Sequence, residues 1–372
     1  MNPALPGART AAAYQGIHEG GLQTDTFFIG RDGGLYVAWI VGTGAWNAPF
    51  RITPDNMAPQ GCAVAAAGRS MVPFAQDPSG ESGEGAFGIQ GELDVLFMGN
   101  RGGLHVSSVI GLGTWNPPAD IGPGNIAPAG ADVAVAHQLP NQLNAFFVGN
   151  DGGIYVAWIV DGPGNWWNGP LRITPPGVAP PGGRIIAAKQ THDQLNVFFV
   201  ANDGRLNVSW VTGIGSWQGP IAITPSVAPP GAALTAAQQT SQQLNVFFVD
   251  NDGKLNVSWV VGVGAWQGPI AITPSIATPG AGVAAAMQTT NQLDAFVVDR
   301  DGRLCVSWVV GVGAWAGPVG VTEPGHAPPG STPVTWYQSN EQLDVFVNGN
   351  ERWVSWVSTG GGNWNGPYGL PS

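Results

Sequence analysis

The chain has 372 residues, with 24 acidic against 13 basic side chains and a formal net charge of −11. That balance leaves no basic stripe to neutralise phosphates, so nucleic acid and anionic membrane surfaces are excluded as natural partners and an uncharged ligand is expected. Fifty-seven glycines and 32 prolines stand beside 44% hydrophobic residues and 16 tryptophans, a composition of regular turns around a large core.

At the amino end, MNPALPGART has no basic stretch followed by an apolar run, so the expected location is cytoplasmic, or outside the cell by export without a classical signal peptide. No apolar run approaches the roughly eighteen residues of a bilayer span, so membrane insertion is not expected. A phrase of the form W-x-G-P opens at Trp46, Trp115, Trp167, Trp217, Trp266, Trp315 and Trp364, and the last intervals settle at 49 residues. A repeat of that length means propeller blades or solenoid turns.

One unit, from Ala277 to His326, reads as four short strands. GVAAAMQ begins with alanines, LDAFVVD and LCVSWVV are rich in branched and aromatic residues, and WAGPVGVT closes the unit. Asp301-Gly302 separates the second run from the third, and the pair recurs at Asp32, Asp151, Asp203 and Asp252, where a tight hairpin with both residues at positive φ is expected. The alanines at 11–13, 65–67 and 284–286 are weak strand formers, which points to crowding at an axis. Proline-rich stretches such as PSVAPPG, ending at Gly231, would carry the chain from the outer strand of one blade to the inner strand of the next.

Ala4-Leu5-Pro6-Gly7 matches Ala277-Thr278-Pro279-Gly280, so seven units stand in phase. The reading is an all-β, seven-bladed β-propeller with four antiparallel strands per blade, a single domain over 1–372. Its blades fall near 1–57, 58–126, 127–178, 179–227, 228–276, 277–326 and 327–372. A solenoid would need distinct capping repeats, and none is visible. The second unit carries an insertion from Ser70 to Glu92, read as a surface loop, and has Ser108 in place of the third-strand tryptophan. The seventh places Trp336 and Tyr337 on its inner strand.

No catalytic pattern emerges. The second-strand position holds Asp25, Asp94, Asp294 and Asp344 in four units but Asn144, Asn196 and Asn245 in three, and asparagine cannot exchange protons, so a hydrogen-bonding role is expected. His18, His105, His137, His192 and His326 are scattered without metal-ligand spacing, and no nucleophile elbow or phosphate loop occurs. No metal and no cofactor are expected. Cys62 and Cys305 occupy different repeat positions and read as free, buried thiols.

Two tryptophans recur in every unit but the second. Leu206, Val208 and Trp210 share one strand face, so Trp210 and its equivalents Trp39, Trp158, Trp259, Trp308 and Trp356 are expected to pack between blades. Trp217 and its equivalents follow a glycine-spaced turn and are expected at the rim, exposed beside polar loops. The candidate ligand-binding residues are therefore Trp167, Trp217, Trp266, Trp315 and Trp364 with His192, Gln194, Ser241, Gln243, Asn291, Gln292 and Asn340. A flat indole beside neutral amides and hydroxyls suits a sugar; the alternative, equally open, is a tryptophan packed under its own loop.

The combination of W-x-G-P-x-x-I, Ala-Pro-Pro-Gly, QLDVFV and an Asp-Gly turn resembles the seven-bladed propeller lectins of the Photorhabdus lectin family, over all seven units. The resemblance implies binding of fucose and O-methylated sugars in repeated shallow pockets, with glycans or glycoconjugates as partners and no catalysis. A propeller scaffold that binds protein through its rim loops is the second reading, and a glycosidase the third.

Overall fold

In a computed structural model the described residues are 3–18, 21–69, 91–162 and 166–371. Among them are twenty-eight strands in seven four-stranded antiparallel sheets, each built from strands consecutive in sequence. The blades span 11–51, 64–121, 134–172, 185–226, 234–271, 283–320 and 334–369. Blade five is representative, with strands Leu234–Thr240, Gln243–Val249, Leu255–Val261 and Gln267–Ala271 from the axis outward. No helix among the described residues is long and apolar enough to cross a membrane.

Inner strands of neighbouring blades lie against each other around the axis, and Ala11–His18 meets Val334–Ser339 to close the ring. The alanine clusters sit on these strands, with Ala12, Ala13, Ala65, Ala67, Ala284 and Ala286 buried. Seven strands converging on one axis leave room for a methyl group and little more.

Strand alternation distributes the core to both sides of every sheet. In blade five, Leu244, Val246 and Phe248 pack toward blade four, whereas Phe247 and Val249 pack toward blade six. Ten phenylalanines of this kind are fully buried, so the stability of the ring resides in the seams between blades.

The Asp-Gly turns differ from expectation. Only the glycine takes positive φ, +81° at Gly253, because the loop has three residues and closes through Gly253 N donating to Asp250 O at 3.1 Å. A Cβ there would lie 2.1 Å from Ala277 O, so the incoming connector also demands glycine. The W-x-G-P phrase forms a bulge: Val257 pairs with Ile270 and Trp259 with Gln267, so Gly268 and Pro269 together oppose Ser258.

Most of the Ser70 to Glu92 insertion falls outside the described residues. Glu92 is not loop but the first residue of the strand Glu92–Met98. Cys62 and Cys305 are free and buried, as expected.

Candidate functional site

Hydrogen bonds bring the two sets of predicted site residues to one face. Gly213 N, in the turn before Trp217, donates to Asp193 O at 2.8 Å; Gly262 N donates to Gln242 O at 2.7 Å and Gly311 N to Asn291 O at 2.7 Å. In blade seven, Thr359 Oγ1 donates to Asn340 O at 2.7 Å. Each tryptophan turn is therefore clamped to the polar loop of its own blade.

A second clamp crosses the seam. Gln138 Nε2 donates to Gly213 O at 2.8 Å, Gln190 Nε2 to Gly262 O at 2.8 Å and Gln239 Nε2 to Gly311 O at 2.6 Å, each from one blade to the next. The turn tips carry aliphatic side chains that the clamps hold out into solvent: Ile214, Val263 and Val312 are 86%, 80% and 79% exposed. Exposed aliphatic side chains thus recur at one position of the repeat.

Each W-x-G-P tryptophan leans into the seam behind it. Trp217 meets Phe146 edge-on at 5.4 Å between centroids, and Trp266, Trp315 and Trp364 meet Phe198, Phe247 and Phe296 in the same way. All four are half-buried, so they are part packing residue and part surface. The third-strand tryptophans face the seams as their parity predicts, but they too are only half-buried. Trp210 of blade four and Trp266 of blade five pack against the same cluster, as do Trp158 and Trp217 one seam earlier. A seam thus presents two indoles, one from each blade, with an exposed aliphatic at the turn tip.

The remaining sequence candidates divide. His192, Ser241, Asn291 and Asn340 are exposed on the polar loops. Gln194, Gln243 and Gln292 are not free to meet a ligand with their amide N–H groups, which donate to the carbonyl oxygens of Gln190, Gln239 and Gln288 at 3.1, 3.0 and 3.0 Å. Trp167 is 7% exposed and belongs to the core of its seam, so it offers no face to a ligand; its neighbour Trp166, at 54%, is the exposed one. Trp158 and Trp210 do pack in the seams as their parity predicts, and the sequence reading did not single out Ile214, Val263 and Val312, whose place between two glycines marks them as turn tips.

The repeated Asp/Asn position underlies this face. Asn144 Nδ2 donates to Gln138 Oε1 at 2.7 Å while its Oδ1 accepts from Gln142 Nε2 at 2.9 Å, which orients Gln138 for its reach to Gly213. In blades one, six and seven an aspartate stands there. Oδ1 of Asp25, Asp294 and Asp344 accepts from Gln23, Gln292 and Gln342 at 2.7, 2.8 and 2.8 Å, and each Oδ2 is buried without a hydrogen-bond partner. Burial pushes Asp25 up to about 8 and Asp294 and Asp344 up to about 7, against the lowering effect of those glutamines. When protonated, Oδ2 gains a proton to donate where asparagine Nδ2 donates, so the acid form is the one that matches asparagine. Blade two solves the same problem with charge: Arg69 replaces the inner-strand glutamine and meets Asp94 at 2.5 Å and Glu92 at 2.6 Å.

No protein-family model matches the chain, and no curated protein matches it. Among solved structures it is similar to BP39L lectin from Burkholderia pseudomallei, with 38% identity, a TM-score of 0.87 and all of both chains covered. Aleuria aurantia lectin, solved with α-methyl-L-fucoside, matches 90% of this chain and 99% of its own at 16% identity and a TM-score of 0.55. AofleA from Arthrobotrys oligospora matches 86% and 88% at 15% identity and a TM-score of 0.56. At such identities the last two share the fold alone. The match to BP39L lectin is of another order, spanning the whole length of both chains, and by it the chain belongs to the β-propeller lectin family of which BP39L lectin is a member.

Proposed function

We propose that this lectin is a non-catalytic, multivalent binder of fucose or O-methylated sugars, with one monosaccharide site at each competent seam. The observation that carries the reading is the repeated meeting of two half-exposed indoles with an exposed aliphatic beside exposed polar loop residues. The indoles and Val263 or its equivalents would receive the apolar ring face and the methyl group, and the loops would meet the hydroxyls. A methyl-bearing sugar has an apolar edge that glucose lacks, and this supports fucose or an O-methylated ring over a fully hydroxylated one.

Hydrolysis would need two acids with separated proton affinities in one cleft. The second-strand acids stand in four different blades, each buried within its own hydrogen-bond network. A shallow site of this kind would bind at about 1 mM, roughly −4 kcal/mol. Several sites engaging one glycan-coated surface would raise the avidity about 10²- to 10⁴-fold.

Titration calorimetry with free L-fucose and with free D-glucose, neither carrying an O-methyl group, tests the reading. Binding of fucose at several sites per chain, with little heat from glucose, is the expected result. Equal binding of both would remove the role given to the methyl group. Binding of neither, nor of any glycan on an array, would favour the protein scaffold.

A further inference from the structure

On the face opposite the tryptophan turns, the residues just before the inner strands form a ring around the axis. They are Arg9, Ala63, Asp132, Arg184, Ala233, Gly282 and Thr332, each two positions after the positive-φ glycine of its connector. Backbone hydrogen bonds tie them blade to blade: Arg9 N donates to Gly61 O at 3.4 Å, Arg184 N to Gly231 O at 3.3 Å, Ala233 N to Gly280 O at 3.4 Å and Gly282 N to Gly330 O at 3.1 Å. Ala63, Ala233 and Gly282 leave the mouth of the ring open to the long side chains of the others.

Two arginines use that space. Arg9 Nη1 donates to Asp132 Oδ1 at 2.6 Å, passing blade two to reach blade three. Arg184 Nη1 donates to Thr332 Oγ1 at 2.8 Å, from blade four to blade seven, so its guanidinium crosses the mouth. The other oxygen of Asp132 accepts from Ile185 N at 3.3 Å. Burial pushes the Cys62 thiol up to about 12, so it adds no negative charge. The Asp132 oxygens are thus taken by Arg9 and Ile185 N, and Arg184, most of whose donors are not engaged, makes no ion pair among the described residues. Burial and the nearby Arg9 push Arg184 down to about 10, which still leaves it charged at neutral pH.

We propose that the axial mouth is a binding site for a small inorganic oxyanion, sulfate or phosphate, held by the Arg184 guanidinium with the Thr332 hydroxyl beside it. A tetrahedral oxyanion matches the planar fork of a guanidinium and supplies the missing charge. The site is local, because a chain of net charge −11 repels anions at long range. It lies on the face opposite the tryptophan turns and does not depend on the sugar reading.

Calorimetry and thermal unfolding with sodium sulfate, at an ionic strength held constant with chloride, test the proposal. The wild-type chain should give saturable heat and a rise in Tm of about 2–5 °C at saturation. Arg184→Gln should lose both responses, and Thr332→Val should weaken binding several-fold. Arg205→Gln, which removes an exposed arginine paired with Asp203, should keep both. In sulfate-free buffer Arg184→Gln should be at least as stable as wild type, since it removes an uncompensated charge. Absence of a sulfate-specific response in wild type, or an equal response in Arg184→Gln, would overturn the proposal. Should Arg184→Gln fail to fold, unchanged sulfate affinity in Thr332→Val would do so instead.

Discussion

Arg69 in blade two reaches Asp161 in blade three, 3.8 Å away, across a seam that a glutamine spans elsewhere in the ring. Asp161 stands where Gly213, Gly262 and Gly311 stand in the later blades, so both ends of the clamp have changed together within one chain. Above about pH 8, where Asp94 would have to ionise without its cation, Arg69→Gln alone should cost about 3–5 kcal/mol. Arg69→Gln combined with Asp94→Asn restores the amide pairing of the other blades and should recover most of that loss in urea unfolding. Equal losses in the single and double variants would mean that the buried ion pair is not what the seam needs.

The raised aspartates of blades one, six and seven make stability depend on pH. Their folded-state values lie above that of an unfolded aspartate, so the stability they allow is fully present below about pH 4 and is lost as pH rises through 7 to 8. Replacing Asp25, Asp294 and Asp344 with asparagine should leave stability at pH 4 nearly unchanged. At pH 8.5 it should raise stability by about 2–4 kcal/mol per site as an upper range. Parallel unfolding curves at the two pH values check this, and a gap that does not widen with pH would show that the acids ionise without cost.

Calorimetric stoichiometry reads the two-indole seam directly. Trp210→Ala and Trp266→Ala should each remove one sugar site, and their combination should still remove one, because both indoles serve the seam between blades four and five. Trp210→Ala with Trp315→Ala should remove two. Both tryptophans are half-buried, so each single variant should lose a similar stability, about 2–4 kcal/mol. Loss of two sites in the Trp210→Ala, Trp266→Ala chain would show that each indole forms a site of its own.

Gly268 is the hinge of the bulge. Its φ is +86°, and an added Cβ would lie 2.8 Å from Val257 O and 3.1 Å from Trp259 Cζ3. Gly268→Ala should destabilise the chain by about 1–3 kcal/mol and disturb the outer strand that positions Trp266. A melting temperature equal to that of wild type would mean that the outer strand detaches at little cost.

The period, the four runs per unit and the alanine clusters were enough to read the ring from the sequence, because each reports a constraint repeated seven times. The site was only half legible. Face and loop could be assigned to Trp217 and Ser241 from strand direction alone, since alternation and antiparallel order fix them. Burial could not: Trp167 and Trp217 occupy the same phrase, yet one is core and the other half-exposed, because the doubled Trp166-Trp167 puts one indole on each side of the strand start. Gln194, Gln243 and Gln292 also read as ligand contacts. Their commitment to inner-strand glutamines follows from the pairing of the first two strands, for which the recurring Gln-x-x-x-Gln spacing was the local signal.

The seam that joins the two ends of the polypeptide has the same two ties as the others. Gln338 Nε2 donates to Gly42 O at 2.8 Å, and Trp46 meets Phe346 edge-on at 5.6 Å. Asn348 Nδ2 adds bonds to Ala8 O at 2.6 Å and Thr10 Oγ1 at 2.7 Å, and the Arg352 guanidinium lies over Phe28 at 4.9 Å. Since no strand is exchanged to lock it, where the chain is cut is topologically arbitrary. A circular permutant joined from Pro371 to Pro3 and opened between Ser275 and Ile276 would keep every blade whole, and the position of its new termini would be invisible to a ligand on the opposite rim.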